Sequence, residues 1–125
     1  EPGFPKPIAD VKQLMHAIII PASNLVFNVE VDAPTDNEEW ANVAYGALAV
    51  AEAGNLLMMP GRAVNTGDWM KKAQAMIDAS LLVMKAAQAK DADEVVRLGY
   101  QMDDACTACH DEYMLSRRLR QQQKQ

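Results

Sequence analysis

"ADEVVRLGYQMDDACTACHDEYM", residues 92–114, decides the fold and raises the question of chemistry at once. At 100° per residue, Val95, Leu98, Met102, Cys106, Cys109 and Tyr113 fall on one stripe. That spacing predicts a helix from near Ala92 to near Arg118. The same stripe carries the chain's only two cysteines, and His110, one of its two histidines, follows directly.

Working outward, three further segments have helical spacing. From about Pro7 to Val29, Val11, Leu14, Met15, Ile18, Ala22 and Leu25 share a face, with His16 away from its centre. Pro21 should kink or interrupt this helix, because it lacks an amide donor and crowds the preceding turn. From about Asp36 to Met59, Thr35 or Asp36 is the expected N-cap, and Glu38 and Glu39 suit the positive end of the helix dipole. Its inner face of Trp40, Ala44, Ala47, Ala51 and Gly54 lets another helix approach closely, from the same chain or from a second subunit. From about Asp68 to Ala89, Trp69, Ala73, Met76, Ser80, Val83, Met84 and Ala87 line one side. No segment alternates like a strand, and no Asn-Gly or Asp-Gly hairpin signal occurs. Four helices of about 30–37 Å joined mostly by short loops predict an all-α, antiparallel up-down-up-down four-helix bundle. It forms a single domain over 1–125, with an extended arm at 1–6 and a polar tail at 119–125.

Composition agrees with helices. Half of the 125 residues are hydrophobic but only 6 % are aromatic, so alanine and methionine, both good helix formers, carry much of the core. "AIIIPA" (17–22) is too short to span a membrane. The formal charge is −5, although Arg117, Arg118, Arg120 and Lys124 crowd the last nine residues without an acid among them. The acidic body argues against nucleic acid, whose phosphates need clustered bases. The basic tail is read as a solvated end, or as a patch for an acidic partner.

Cys106, Cys109 and His110 fit within an arc of about 100° on one helix. Two cysteines three apart in a helix cannot easily reach disulfide geometry. A thioredoxin-type pair needs a helix N-terminus after a strand, not the interior of a late helix. Zinc wants four ligands, and neither His16 nor a second cysteine pair supplies the rest. The remaining reading is Cys-x-x-Cys-His, the attachment signature of c-type haem. Two thiols add across the two vinyl groups of one porphyrin edge, and the adjacent imidazole reaches the iron from the same side. Cys106 and Cys109 are the expected anchors and His110 the proximal axial ligand.

Four helices with "CTACHDEYM" late in the last one resemble the class II c-type cytochromes, cytochrome c′ and its low-spin relatives. The resemblance covers nearly the whole chain. It is most specific at Cys106–Tyr113 and is supported by "LMHA" (14–17). It implies a periplasmic haem protein, a homodimer joined through the first two helices, and an iron whose second axial position faces the first helix. There Met15 stands, with Ile18 and Ile19 lining the distal pocket. Two positions depart from the family. Met114 stands where a base commonly follows the aromatic residue, and Val11 where an arginine near a haem propionate is usual. Lys12 is the nearest base to that site, and Arg62 of "MPGR" is the alternative propionate partner.

Met15 opposite His110 gives a low-spin iron suited to electron transfer. Met15 as ordinary core, or His16 as the ligand, stays open. Trp40, Trp69 and Tyr113 are expected to pack against haem or core. The expected function is an electron carrier serving other periplasmic redox proteins. The alternative is a five-coordinate protein that binds nitric oxide or carbon monoxide at an apolar distal face. A haem enzyme is disfavoured because only His16 offers distal acid–base chemistry. Covalent haem attachment occurs outside the cytoplasm. "EPGFPKP" has neither a charged n-region nor an apolar h-region, so a signal peptide is expected to have been removed already.

Overall fold

Side-chain caps set where the helices begin. Asp10 accepts from the Gln13 amide at 2.8 Å while the Gln13 side chain accepts from the Asp10 amide at 3.0 Å, a reciprocal capping box. Asp36, rather than Thr35, caps the next helix by accepting from the Glu39 amide, and Thr35 instead donates its amide and hydroxyl to the Glu39 carboxylate. Asp91 caps the last one through the Glu94 amide. In the computed structural model, which describes residues 5–114, the elements are α1 (Val11–Leu14), a π-helical turn (Met15–Ile19), α2 (Ile20–Phe27), a 3₁₀ turn (Asn28–Glu30), α3 (Asn37–Leu57), α4 (Asp68–Gln88) and α5 (Ala92–Tyr113). The basic tail and residues 1–4 of the expected arm lie outside the described residues.

From α1 to the 3₁₀ turn the junction residues keep right-handed helical dihedrals, so these pieces form one rod. There are thus four helical rods and, among the described residues, no strand, an arrangement compatible with a helical bundle. α2 packs on α3 and α5, and α4 packs on the same two. The core they enclose contains Leu14, Ile19, Val26, Val50, Met76, Val83, Val95 and Met102. Small residues bring the backbones together at two seams. A methyl at Gly46 would lie 2.7 Å from the Ala22 carbonyl oxygen, and one at Gly54 would collide with Ile77 Cγ1. The small face of α3 is therefore used within the chain, against α2 and α4.

Pro21 follows a π-helical turn that interrupts the α-helical run without breaking the rod. It sits in the first turn of α2, where an amide donor is not required. Just before it the Ile20 amide bonds to the Met15 carbonyl, five residues back. A wide turn of this kind takes up one extra residue. The buried face therefore slips by one position, from the expected Ile18 and Leu25 to Ile19 and Val26. Ile19 is 3 % exposed and Ile18 37 %.

The α4–α5 connection is tight. The Asp91 amide bonds to Ala86 and the Lys90 amide to Ala87, with Lys90 at φ 56° in the left-handed region that closes a helix C-terminus. This turn sets the start, and hence the register, of α5, which carries the cysteines.

Candidate functional site

The periodicity that buries Val95, Leu98 and Met102 brings Cys106, Cys109 and His110 to the inner side of α5, where they are half-buried. They form one wall of a cleft with an empty volume of ≈ 670 Å³, counting its open mouth. The first rod contributes Met15, Ile19 and Ile20 to the same cleft. Leu57, Ala73 and Met76 close the cleft from α3 and α4, and Phe27 and Lys72 stand at its sides.

Both cysteines are free thiols. Burial pushes the Cys106 thiol up to about 11, and the nearby Asp103 carboxylate adds to the effect. Cys109 is also raised, again chiefly by burial, with Lys72 opposing. Both remain protonated at neutral pH, the reverse of the activated thiolate a thiol–disulfide exchange pair uses. Among the described residues, no group of three or more His, Cys, Asp or Glu is placed to hold a metal ion on its own. The His110 carbonyl accepts from the Met114 amide at 2.9 Å in the last turn of α5.

The structure brings together five of the residues expected from sequence: Cys106, Cys109, His110, Met15 and Ile19. His16 is exposed on the far side of its turn. Four others stand outside the cleft. Ile18 is turned outward by the π-helical turn. Arg62, 9 % exposed, donates to the carbonyls of Ala9 and Leu56 at 3.0 and 2.9 Å, so its guanidinium ties the α3–α4 connection to the N-terminal segment. Trp69 is buried and donates its indole N–H to the Leu57 carbonyl at 2.8 Å. Tyr113 packs edge-on to Trp69, ring centroids 4.9 Å apart, donates its hydroxyl to Asp68 and accepts from Asn65.

Lys72 is the site residue that sequence reasoning missed. Its ammonium is held by both oxygens of Asp68 at 2.8 and 2.9 Å, and among the described residues it is the only lysine or arginine lining the cleft. The signal was available: Lys72 is four residues from Asp68 and adjoins the inner face through Ala73 and Met76. Ser23, also on the cleft, was hidden, because only the π-helical turn rotates it inward. A second groove continues along the α2–α5 seam, sharing Phe27 and Asp103, and ends where the Tyr100 hydroxyl donates to the Glu30 carboxylate. A scan against protein-family models, a search of curated proteins and a search of solved structures each found no match for this chain.

Proposed function

We propose that this chain is an exported c-type haem protein that carries electrons in the periplasm, built as an antiparallel up-down-up-down four-helix bundle. Cys106 and Cys109 anchor the haem, His110 is its proximal axial ligand, and Met15 takes the opposite axial position. The observation that carries this reading is the juxtaposition in one cleft: two thiols and an imidazole on α5, faced by a thioether on the first rod. The donor set fits the group. Two protonated thiols suit addition across two vinyls, each sulfur bonding to carbon while its proton goes to the neighbouring carbon. An imidazole and a thioether lining one cleft are both ligand types that haem iron accepts.

When bound, the haem supplies an iron that gains and loses one electron. The chain's own residues do the rest. α5 fixes the order anchor, anchor, ligand within one helical turn. Ile19, Leu57 and Met76 give the cleft an apolar inner lining, which would favour the less charged state of a redox centre placed there. Lys72, steadied by Asp68, offers a cation to a carboxylate at the rim, the task Arg62 is not free to perform. No helix among the described residues is long and apolar enough to cross a membrane. Exposed Ile18 and Leu25 on the first rod and Tyr45 and Leu48 on α3 support a homodimer joined through these helices, in contact with other redox proteins.

The test is the mass and spectrum of the chain matured in a periplasm that attaches haem. One covalent haem per chain is expected, with a low-spin spectrum and a sulfur-to-iron charge-transfer band at the red end. A colourless protein with two titratable thiols refutes the proposal. A high-spin spectrum that changes on adding carbon monoxide moves it to the gas-binding alternative.

A further inference from the structure

The first rod offers two adjacent side chains able to bind iron, Met15 and His16, and the backbone between them and Pro21 decides which one faces the cleft. In the rod beyond the π-helical turn, Ile19, Ala22, Ser23 and Val26 are buried. A regular helix continued backwards from Ile19 at about 100° per residue puts position 15 about 40° to one side of it, position 16 about 60° to the other and position 14 about 140° away. Position 15 would then be core, position 16 the flank of the cleft, and position 14 solvent-facing.

The structure shows a different order. Leu14 is 2 % exposed and part of the core, Met15 is half-buried on the cleft, and His16 is exposed. Each residue occupies the place a regular helix would give to its successor. The offset is one residue, and the π-helical turn at Met15–Ile19 is where it is taken up, through the bond from the Ile20 amide to the Met15 carbonyl. Pro21 follows at once. It has no amide to offer the Ala17 carbonyl, and its ring crowds that carbonyl, so a regular turn ending there loses a bond and gains a clash.

We propose that Pro21, through this π-helical turn, selects Met15 over His16 as the side chain that meets the iron. The inference rests on the haem reading above and makes Pro21 a positioning residue: it touches no ligand and acts by setting the register of the rod. Healing the helix would turn His16 into the cleft and drop Met15 into the slot of Leu14.

The test compares spectra of matured variants. Met15→Ala is expected to lose the sulfur-to-iron band and turn high-spin, because His16 faces away and cannot replace the lost ligand. Met15→Ala combined with Pro21→Ala is expected to become low-spin with two imidazoles, and adding His16→Ala to return it to high-spin. Selection by Pro21 is overturned if Met15→Ala alone is already a two-imidazole protein that needs His16, or if the double variant stays high-spin. A Met15→Ala spectrum identical to the wild type's removes Met15 as a ligand and sinks the sixth-ligand assignment together with this proposal. The single variant leaves Pro21 and the backbone intact, so the inference can fail even where the double variant does not fold.

Discussion

Replacing Gly46 by alanine tests the packing that positions the cleft wall. In an exposed helix the change gains about 1 kcal/mol, because alanine is the better helix former. At Gly46 the new methyl would lie 2.7 Å from the Ala22 carbonyl oxygen and 2.9 Å from Leu25 Cβ. Neither atom can rotate away, since one is backbone and the other is fixed to it. α2 must then move off α3. Forcing an extra carbon into a packed seam costs about 1–3 kcal/mol, and a backbone obstacle puts this site at the upper end. The net expectation is a loss of about 1–2 kcal/mol. At about 4 °C per kcal/mol for a domain of this size, the midpoint should fall by roughly 4–8 °C. Gly99→Ala is the internal control, because its methyl would sit 3.4 Å from Val26 Cγ1, an ordinary contact. It should keep most of the helix-propensity gain and raise the midpoint. Thermal and urea unfolding of both variants followed by circular dichroism gives the comparison. If Gly46→Ala proves as stable as Gly99→Ala, the close approach of α2 and α3 is wrong.

Two further outcomes are expected. Arg62→Ala should destabilise the chain by about 1–3 kcal/mol, since it removes the side-chain donor to the Ala9 and Leu56 carbonyls in a part-buried place, yet leave the spectrum of the matured protein unchanged. A spectral shift with unchanged stability would return Arg62 to the haem. The Asp68 carboxyl is held below its ordinary value of 3.8, first by the Lys72 ammonium and then by the Tyr113 hydroxyl. A lowered folded value means that its contribution to stability is full above the unfolded value near 3.9 and is lost as the pH falls through the folded one. The stability difference between wild type and Asp68→Asn should therefore shrink on acidification below about pH 4. A difference that stays constant down to pH 2 would refute the pairing.

The expected elements and the observed ones agree best where the physical signal is local. α3, α4 and α5 begin within a residue or two of the expected positions, because apolar spacing and the Asp36 and Asp91 caps are properties of a few neighbouring residues. Cys106, Cys109 and His110 could be placed together for the same reason: one helical turn fixes their relation. The first rod differs, because a pattern read at a uniform 100° per residue has no term for an inserted residue. Ile18 and Leu25 came out on the wrong face, while Ile19, Ser23 and Val26 turned inward. Arg62 was misjudged for another reason. Its partners are main-chain carbonyls 53 and 6 residues away in sequence, and carbonyls leave no mark in the letters.

The sequence by itself determined the helices, the inner faces of α3, α4 and α5, and the thiol–thiol–imidazole triplet, since each of these depends on contacts within one or two turns. Only the tertiary structure decided which side chains face that triplet. That Met15 and Lys72 line the cleft, while Trp69 and Tyr113 pack with the core as expected and Arg62 binds main-chain carbonyls, follows from how whole rods rotate and approach one another. That rotation is set by a backbone irregularity at Met15–Ile19 and by close packing at Gly46 and Gly54, where the deciding forces act between segments far apart along the chain.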